Sequence, residues 1–247
     1  MKAMSLEQPN VESARWLHFL SRWALATVLF GIVGLAIYFG GIGFAPSDNA
    51  LGVAYSDLMQ AVRAPMMFRT FMVFDAVGWL MIGGTLLTLA AILKSSAPVR
   101  AVFIAACGIG MLAGSLGGFI RLVGVNDLAA QYAVAPPTQQ ATLLPAVVAL
   151  YETISAHFVA GGLLQGAGYL LVASVMFAQR VFPRWLVGWF ILAGILELVQ
   201  ATTAALGAFS FIVLFLTVIV GVWGLNIAIT IAFWRASPTP IPATASV

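Results

Sequence analysis

The chain has 247 residues, of which 62% are hydrophobic and only 8% charged, and its mean hydropathy is +1.04. Soluble domains carry about 25% charged residues, so a water-soluble globular protein is excluded. A net charge of +3 is too small for a nucleic-acid-binding surface, and the single cysteine, Cys107, rules out an intramolecular disulfide.

A helix needs about 20 apolar residues to cross about 30 Å of hydrocarbon. Six stretches qualify: 22–43, 71–93, 101–123, 147–178, 185–206 and 210–234. Backbone groups in lipid must hydrogen-bond internally, and no short strands of alternating polarity suggest a barrel, so the expected fold is all-α, a polytopic bundle of six transmembrane helices. Residues 1–21 are read as an N-terminal segment containing a short interfacial helix over 12–22, residues 22–235 as the transmembrane domain, and 236–247 as a disordered tail. The first span is too long for a signal-peptide core, and Glu7 and Glu12 stand where that signal would be basic, so it is expected to be retained. His18 belongs to the interfacial stub and reads as structural.

Basic residues fall unevenly around the spans. Lys2, Arg15, Arg22, Lys94, Arg100, Arg180, Arg184 and Arg235 lie at one side, against Arg63, Arg69 and Arg121 at the other. The positive-inside rule makes the first side cytoplasmic, with both termini there, in the inner (plasma) membrane. Trp16, Trp23, Trp185, Trp189 and Trp234 gather at the same ends, as an interfacial aromatic belt would.

Two outer loops exceed a tight turn. Residues 44–70 hold an amphipathic segment between Pro46 and Pro65. In 124–146, Pro136 and Pro137 break a short helix and Thr138 is a candidate cap for the next. Long loops are often lids or functional segments, which directs attention to the outer face. In the third span Gly110, Gly114 and Gly118 form a small-residue stripe, repeated in the fourth by Gly162 and Gly166; such stripes let helices approach closely in lipid.

At a rise of 1.5 Å per residue, Asp75, Arg121 and His157 reach the outer boundary of the membrane, Glu152 lies above it, and Glu197, Gln165 and Ser115 fall inside. Helical phase sets Glu152 and His157 about 140° apart, so they cannot pair directly. Glu152 reads as a solvated carboxylate in the first turn of the fourth helix. Arg121 shares the stripe of Gly110, Gly114 and Gly117 and should face protein. An ion pair from Asp75 to Arg121 is expected to join the second and third spans. Glu197 lies on the face of Gly194 and Ala201, and desolvation would neutralise it unless a cation such as Arg121 approaches. Ionisable groups at membrane depth usually face the bundle interior and are candidates for function. Asp75, Trp79, Arg121, His157, Gln165 and Glu197 are therefore the candidate ligand-binding residues, with Glu197 as a proton-linked group.

Two histidines at opposite ends of the membrane cannot supply a hydrolase-type metal site. The cofactor is left unassigned, a tetrapyrrole on His157 included. No phosphate-binding glycine loop, nucleophile triad, inverted repeat or channel-like ring of charge is legible.

The stretches "FDAVGWLMIGGTLLTLA", "PPTQQATLLPAVVALYETISAHFVAGGLLQGAGYLL" and "VFPRWLVGWFILAGIL" give the chain a layout that resembles a bacterial family of six-span integral membrane proteins carrying a domain of unknown function. The resemblance implies fold and membrane location and brings no activity with it. From the residues, the leading expectation is binding or transport of a small amphipathic or lipid-like molecule through an outward-facing polar crevice. A structural subunit of a membrane complex or homo-oligomer, with the polar groups as fasteners, and a membrane-embedded enzyme acting on lipid through His157 and a carboxylate are the alternatives.

Overall fold

The structure, a computed structural model, describes residues 11–37, 50–179, 182–208 and 211–234. The expected tail over 236–247, the first ten residues and the end of the first span lie outside the described residues. Within them the elements are α1 (Val11–Ile37), α2 (Ala50–Arg63), α3 (Pro65–Leu93), α4 (Pro98–Gly110), α5 (Leu112–Val134), α6 (Pro137–Gln179), α7 (Arg184–Ala205), α8 (Phe211–Leu216) and α9 (Leu225–Phe233). A π-helical stretch, Thr217–Gly224, joins α8 to α9. Six segments are long and apolar enough to cross a membrane: α1 from Arg15, α3, α4 with α5, α6, α7, and α8 through α9. The chain is a polytopic helical membrane bundle.

The spans form a ring in chain order. Each packs against its successor, and α9 returns to lie on α1. Ser21 and Thr230 close the seam: the Ser21 hydroxyl donates to the Thr230 carbonyl oxygen at 3.3 Å, while the Thr230 hydroxyl lies 3.3 Å from the Ser21 carbonyl oxygen and makes its shorter bond, 2.8 Å, to the Asn226 carbonyl of its own helix. Such hydrogen bonds join helices in lipid, where apolar contact alone gives little driving force. Leu20, Leu86, Ile104, Tyr169, Phe190 and Ile229 fill the core of the ring.

Small residues set the helix spacing. A Cβ on Gly83 would come within 2.8 Å of the Gly108 carbonyl oxygen, so α3 and α4 touch backbone to backbone. The stripe on the third span is used within the chain: Gly114 receives the Trp79 ring and Gly118 receives Ala76. On the fourth span Gly162 meets Ala201 and Gly166 meets the Gly194 carbonyl. Close to the Gly83–Gly108 crossing, Met111 interrupts the third span with a single turn residue.

Two spans are far longer than a bilayer requires. At 1.5 Å per residue, the 43 residues of α6 extend about 64 Å, against about 30 Å of hydrocarbon. The third span, Pro98–Val134, has 37 residues and meets α6 through the short turn at Ala135 and Pro136. Their shared end therefore stands beyond the ring as a helical hairpin. Helix α2 packs against this hairpin and the start of α3, over a second core of Leu58, Phe68, Met72, Val125, Val147 and Tyr151.

Several sequence expectations change here. The stub over 12–22 is continuous with the first span, because α1 runs unbroken from Val11. The loop over 124–146 is almost wholly helical. The chain turns at Pro136, and Pro137 rather than Thr138 starts α6, where its missing N–H costs nothing. Pro145 lies inside α6, and Glu152 is consequently mid-helix, where no terminal dipole acts on it. It is exposed, as expected.

Replacing Gly83 by Ala should cost about 1–3 kcal/mol, because a backbone carbonyl blocks the added methyl. Gly188→Ala, where a Cβ would meet nothing within 4 Å, should be neutral or gain up to about 1 kcal/mol from helix propensity. Thermal unfolding of the two variants in one detergent checks the contrast.

Candidate functional site: an ion cluster beneath helix α2

Helix α2 turns Ala54, Leu58 and Ala61 inward at helical spacing. Asp57 sits on that same face and is 2% exposed. A bare carboxylate there would be expensive, and two partners meet it. Arg121 of α5 donates from Nε to Asp57 Oδ2 at 2.7 Å, and a second guanidinium nitrogen bonds the same oxygen. The Tyr151 hydroxyl of α6 also donates to Oδ2. The guanidinium lies 5.9 Å from the centre of the Tyr151 ring. Burial pushes the Asp57 carboxyl above its usual range, and the Arg121 charge offsets only part of that rise. The cluster thus pins α2 to two membrane helices.

The expected pair of Asp75 and Arg121 is present, but as the looser contact. Asp75 Oδ2 stands 4.0 Å from the guanidinium, is itself buried, and has no hydrogen-bond partner. The shorter bonds go to Asp57, which sequence reasoning missed together with Tyr151. A signal existed: Asp57 is an acid on the apolar side of an amphipathic segment.

Helical phase relates these groups to the bundle axis. On α3 the exposed residues Val73, Leu80 and Leu87 mark the lipid face, and at 100° per residue Asp75, Gly78, Ile82 and Leu86 lie opposite it. On α5, Arg121 lies opposite Leu112, Leu116 and Val123; on α7, Glu197 lies opposite Ile195 and Val199. All three ionisable groups therefore face inward. A Cβ added at Gly78 would meet no atom within 4 Å, and the Asp75 side chain keeps 25% of its surface. Open space therefore lies along the inward side of α3 beside Asp75.

The remaining candidates sort into separate contacts. Trp79 stacks on Phe158 at 5.6 Å and fills the slot made by Gly114 and Gly161, joining α3, α5 and α6. Gln165 and Glu197 are 1% and 2% exposed and form a pair: the Gln165 amide donates to Glu197 Oε1 at 2.8 Å and lies 3.2 Å from the Tyr169 hydroxyl. Glu197 is held by an amide; the described contacts do not join it to the Arg121 guanidinium raised as its possible partner. His157 lies against Gly117, and its Nδ1 is 2.8 Å from the Thr153 carbonyl oxygen of its own helix. Among the described residues no hydrogen bond links His157 to a carboxylate, and no group of three His, Cys, Asp or Glu is arranged to hold a metal ion.

A shallow apolar depression of about 170 Å³ lies between α2 and α6, lined by Ala54, Tyr55, Leu144, Val147 and Val148. Charge cluster, inner opening and depression all belong to the end of the bundle that α2 covers.

These features define a six-span helical membrane protein with buried ionisable groups turned toward its axis. The model of the family described as "Domain of unknown function (DUF4386)" matches residues 53–234. The chain belongs to that family. No curated protein and no solved structure matches it.

Removing Arg121 would leave Asp57 as an uncompensated buried charge. Arg121→Gln should destabilise by about 3–5 kcal/mol. Asp57→Asn combined with Arg121→Gln should cost clearly less than the two single changes added together, a coupling that a double-mutant cycle on thermal stability reads directly.

Proposed function

We propose that the protein binds a small amphipathic or lipid-like molecule, entered from the side of the membrane that α2 covers, and holds it in the open interior beside Asp75. The protein is taken to sit in the plasma membrane with both termini cytoplasmic, following the distribution of Lys and Arg, so α2 covers the external mouth. Asp75, Trp79 and Arg121 form the upper site; His157 flanks it on α6, and Gln165 with Glu197 forms a deeper polar station on α6 and α7. The observation that carries the reading is the coincidence of an inward, incompletely satisfied carboxylate with empty space one turn away at Gly78. Polar groups at membrane depth are costly unless they are paired or used.

A fastening role has support as well, in the Asp57–Arg121–Tyr151 cluster and in one contact of the deeper station. Gln165 and Glu197 satisfy each other across the α6–α7 contact, as an interhelical clasp would. The enzyme reading draws nothing comparable from His157, whose Nδ1 is taken up by its own helix.

Protein extracted in a mild detergent should carry a non-covalently bound amphiphile in native mass spectrometry. Gly78→Leu should fold normally and lose it; repeated recovery of the bare wild-type chain would sink the reading. Glu197→Gln preserves the shape of the contact with Gln165 and removes the titration. Folding should survive, and any pH dependence of binding should disappear. If folding and binding fall together, Glu197 is a fastener.

A further inference from the structure

We propose that the opening beside Asp75 accepts a hydrophobic cation, an ammonium-type charge on an apolar body, with the Asp75 carboxylate as its counter-charge. This deepens the binding reading above and rests on it, since that reading leaves the charge of the ligand open.

Two carboxylates, Asp57 and Asp75, share the single guanidinium of Arg121. Asp57 draws two guanidinium nitrogens and the Tyr151 hydroxyl onto one oxygen. Asp75 is left at 4.0 Å, outside hydrogen-bond range, with Oδ2 unpartnered. With both acids ionised the cluster carries one negative charge in excess. Among the described residues the other charged groups at this end lie outside the cluster, and Arg63 is exposed at the end of α2. Arg69 is exposed, about one and a half turns further out on α3, and donates to Asn126 Oδ1 at 3.2 Å. Asp127 and Glu152 are exposed acids and add to the negative side.

The surroundings select the kind of cation. Calcium takes six to eight oxygen ligands and magnesium demands six, and among the described residues no cluster of acids, His or Cys could hold such an ion. Below Asp75 the same face of α3 continues with Gly78, which leaves space, and then with buried Ile82 and Leu86. Trp79, half-buried one turn deeper than Asp75, supplies an aromatic wall backed by Phe158. One carboxylate above an apolar and aromatic recess matches a charged head on an oily body. An anion of the same shape would meet uncompensated repulsion from Asp75.

Octyltrimethylammonium and octanesulfonate are matched in chain length and carry permanent charges of opposite sign. Titration of each into the purified full-length protein in neutral detergent, followed by calorimetry, should show the ammonium binding at least about tenfold more tightly than the sulfonate. Asp75→Asn should erase that preference, and Gly78→Leu should weaken the ammonium by obstruction while leaving all charges in place. The wild-type comparison stands alone if the Asn variant does not fold. Equal binding, a preference for octanesulfonate, or an undiminished preference in a folded Asp75→Asn protein overturns the inference but leaves a ligand site. Binding of neither ion also overturns it; the native mass spectrum of the wild type then decides separately whether the binding reading survives.

Discussion

The contact between Arg121 and Asp57 governs how the two layers of this molecule relate. Arg121 belongs to the membrane ring and Asp57 to the helix lying over it, so one buried pair sets the height and rotation of α2 above the spans. Neither charge tolerates that environment alone. Tyr151 adds a third helix, which makes α2, α5 and α6 mutually dependent. The apolar contacts of Leu58, Phe68, Met72 and Val147 supply burial, but burial is non-directional. The ion pair supplies the register.

The spans were legible because membrane depth imposes a strong compositional rule, and all six match in order and rough extent. The small-residue stripes were legible too as places of close helix approach, since glycine at a spacing of four has few other purposes on an apolar helix; that their partners lie inside the chain only the structure shows. The inward direction of Arg121 and Glu197 followed from phase alone. The choice of partners did not. Asp75 was matched with Arg121 because both lie at one depth on consecutive spans, but depth says nothing about a carboxylate brought in by a helix outside the membrane. Asp57 lies in a stretch that reads as loop, and depth and phase single out the charged Glu152 rather than its neighbour Tyr151. Helix length misled as well. Pro136 and Pro137 do mark a break, but the helix that Pro137 starts runs on through Pro145.

Glycine does two opposite things on α3. At Gly83 the missing side chain is already occupied by a neighbouring backbone, and the helix is locked. At Gly78 the same absence faces nothing, and room remains where the axis meets the outer half of the ring. The lower half is dense, with Leu20, Leu86, Tyr169 and Phe190 closing it. A molecule held near Asp75 would therefore meet a sealed floor in this conformation. Any onward passage would require the lower core to rearrange, and two irregular elements border it: the turn at Met111, and the π-helical stretch of the sixth span beside Ala193 and Leu196 of α7.

The seam between Ser21 and Thr230 joins residues 209 positions apart. A ring assembled in chain order has its gap at that seam until the sixth segment emerges from the ribosome and is released laterally into the bilayer. Until then the inward faces of α3, α5 and α7, carrying their ionisable groups, border a slot open to acyl chains. Closing the seam takes those faces out of lipid, and the Ser21 hydroxyl on the Thr230 carbonyl is a polar contact that holds it shut.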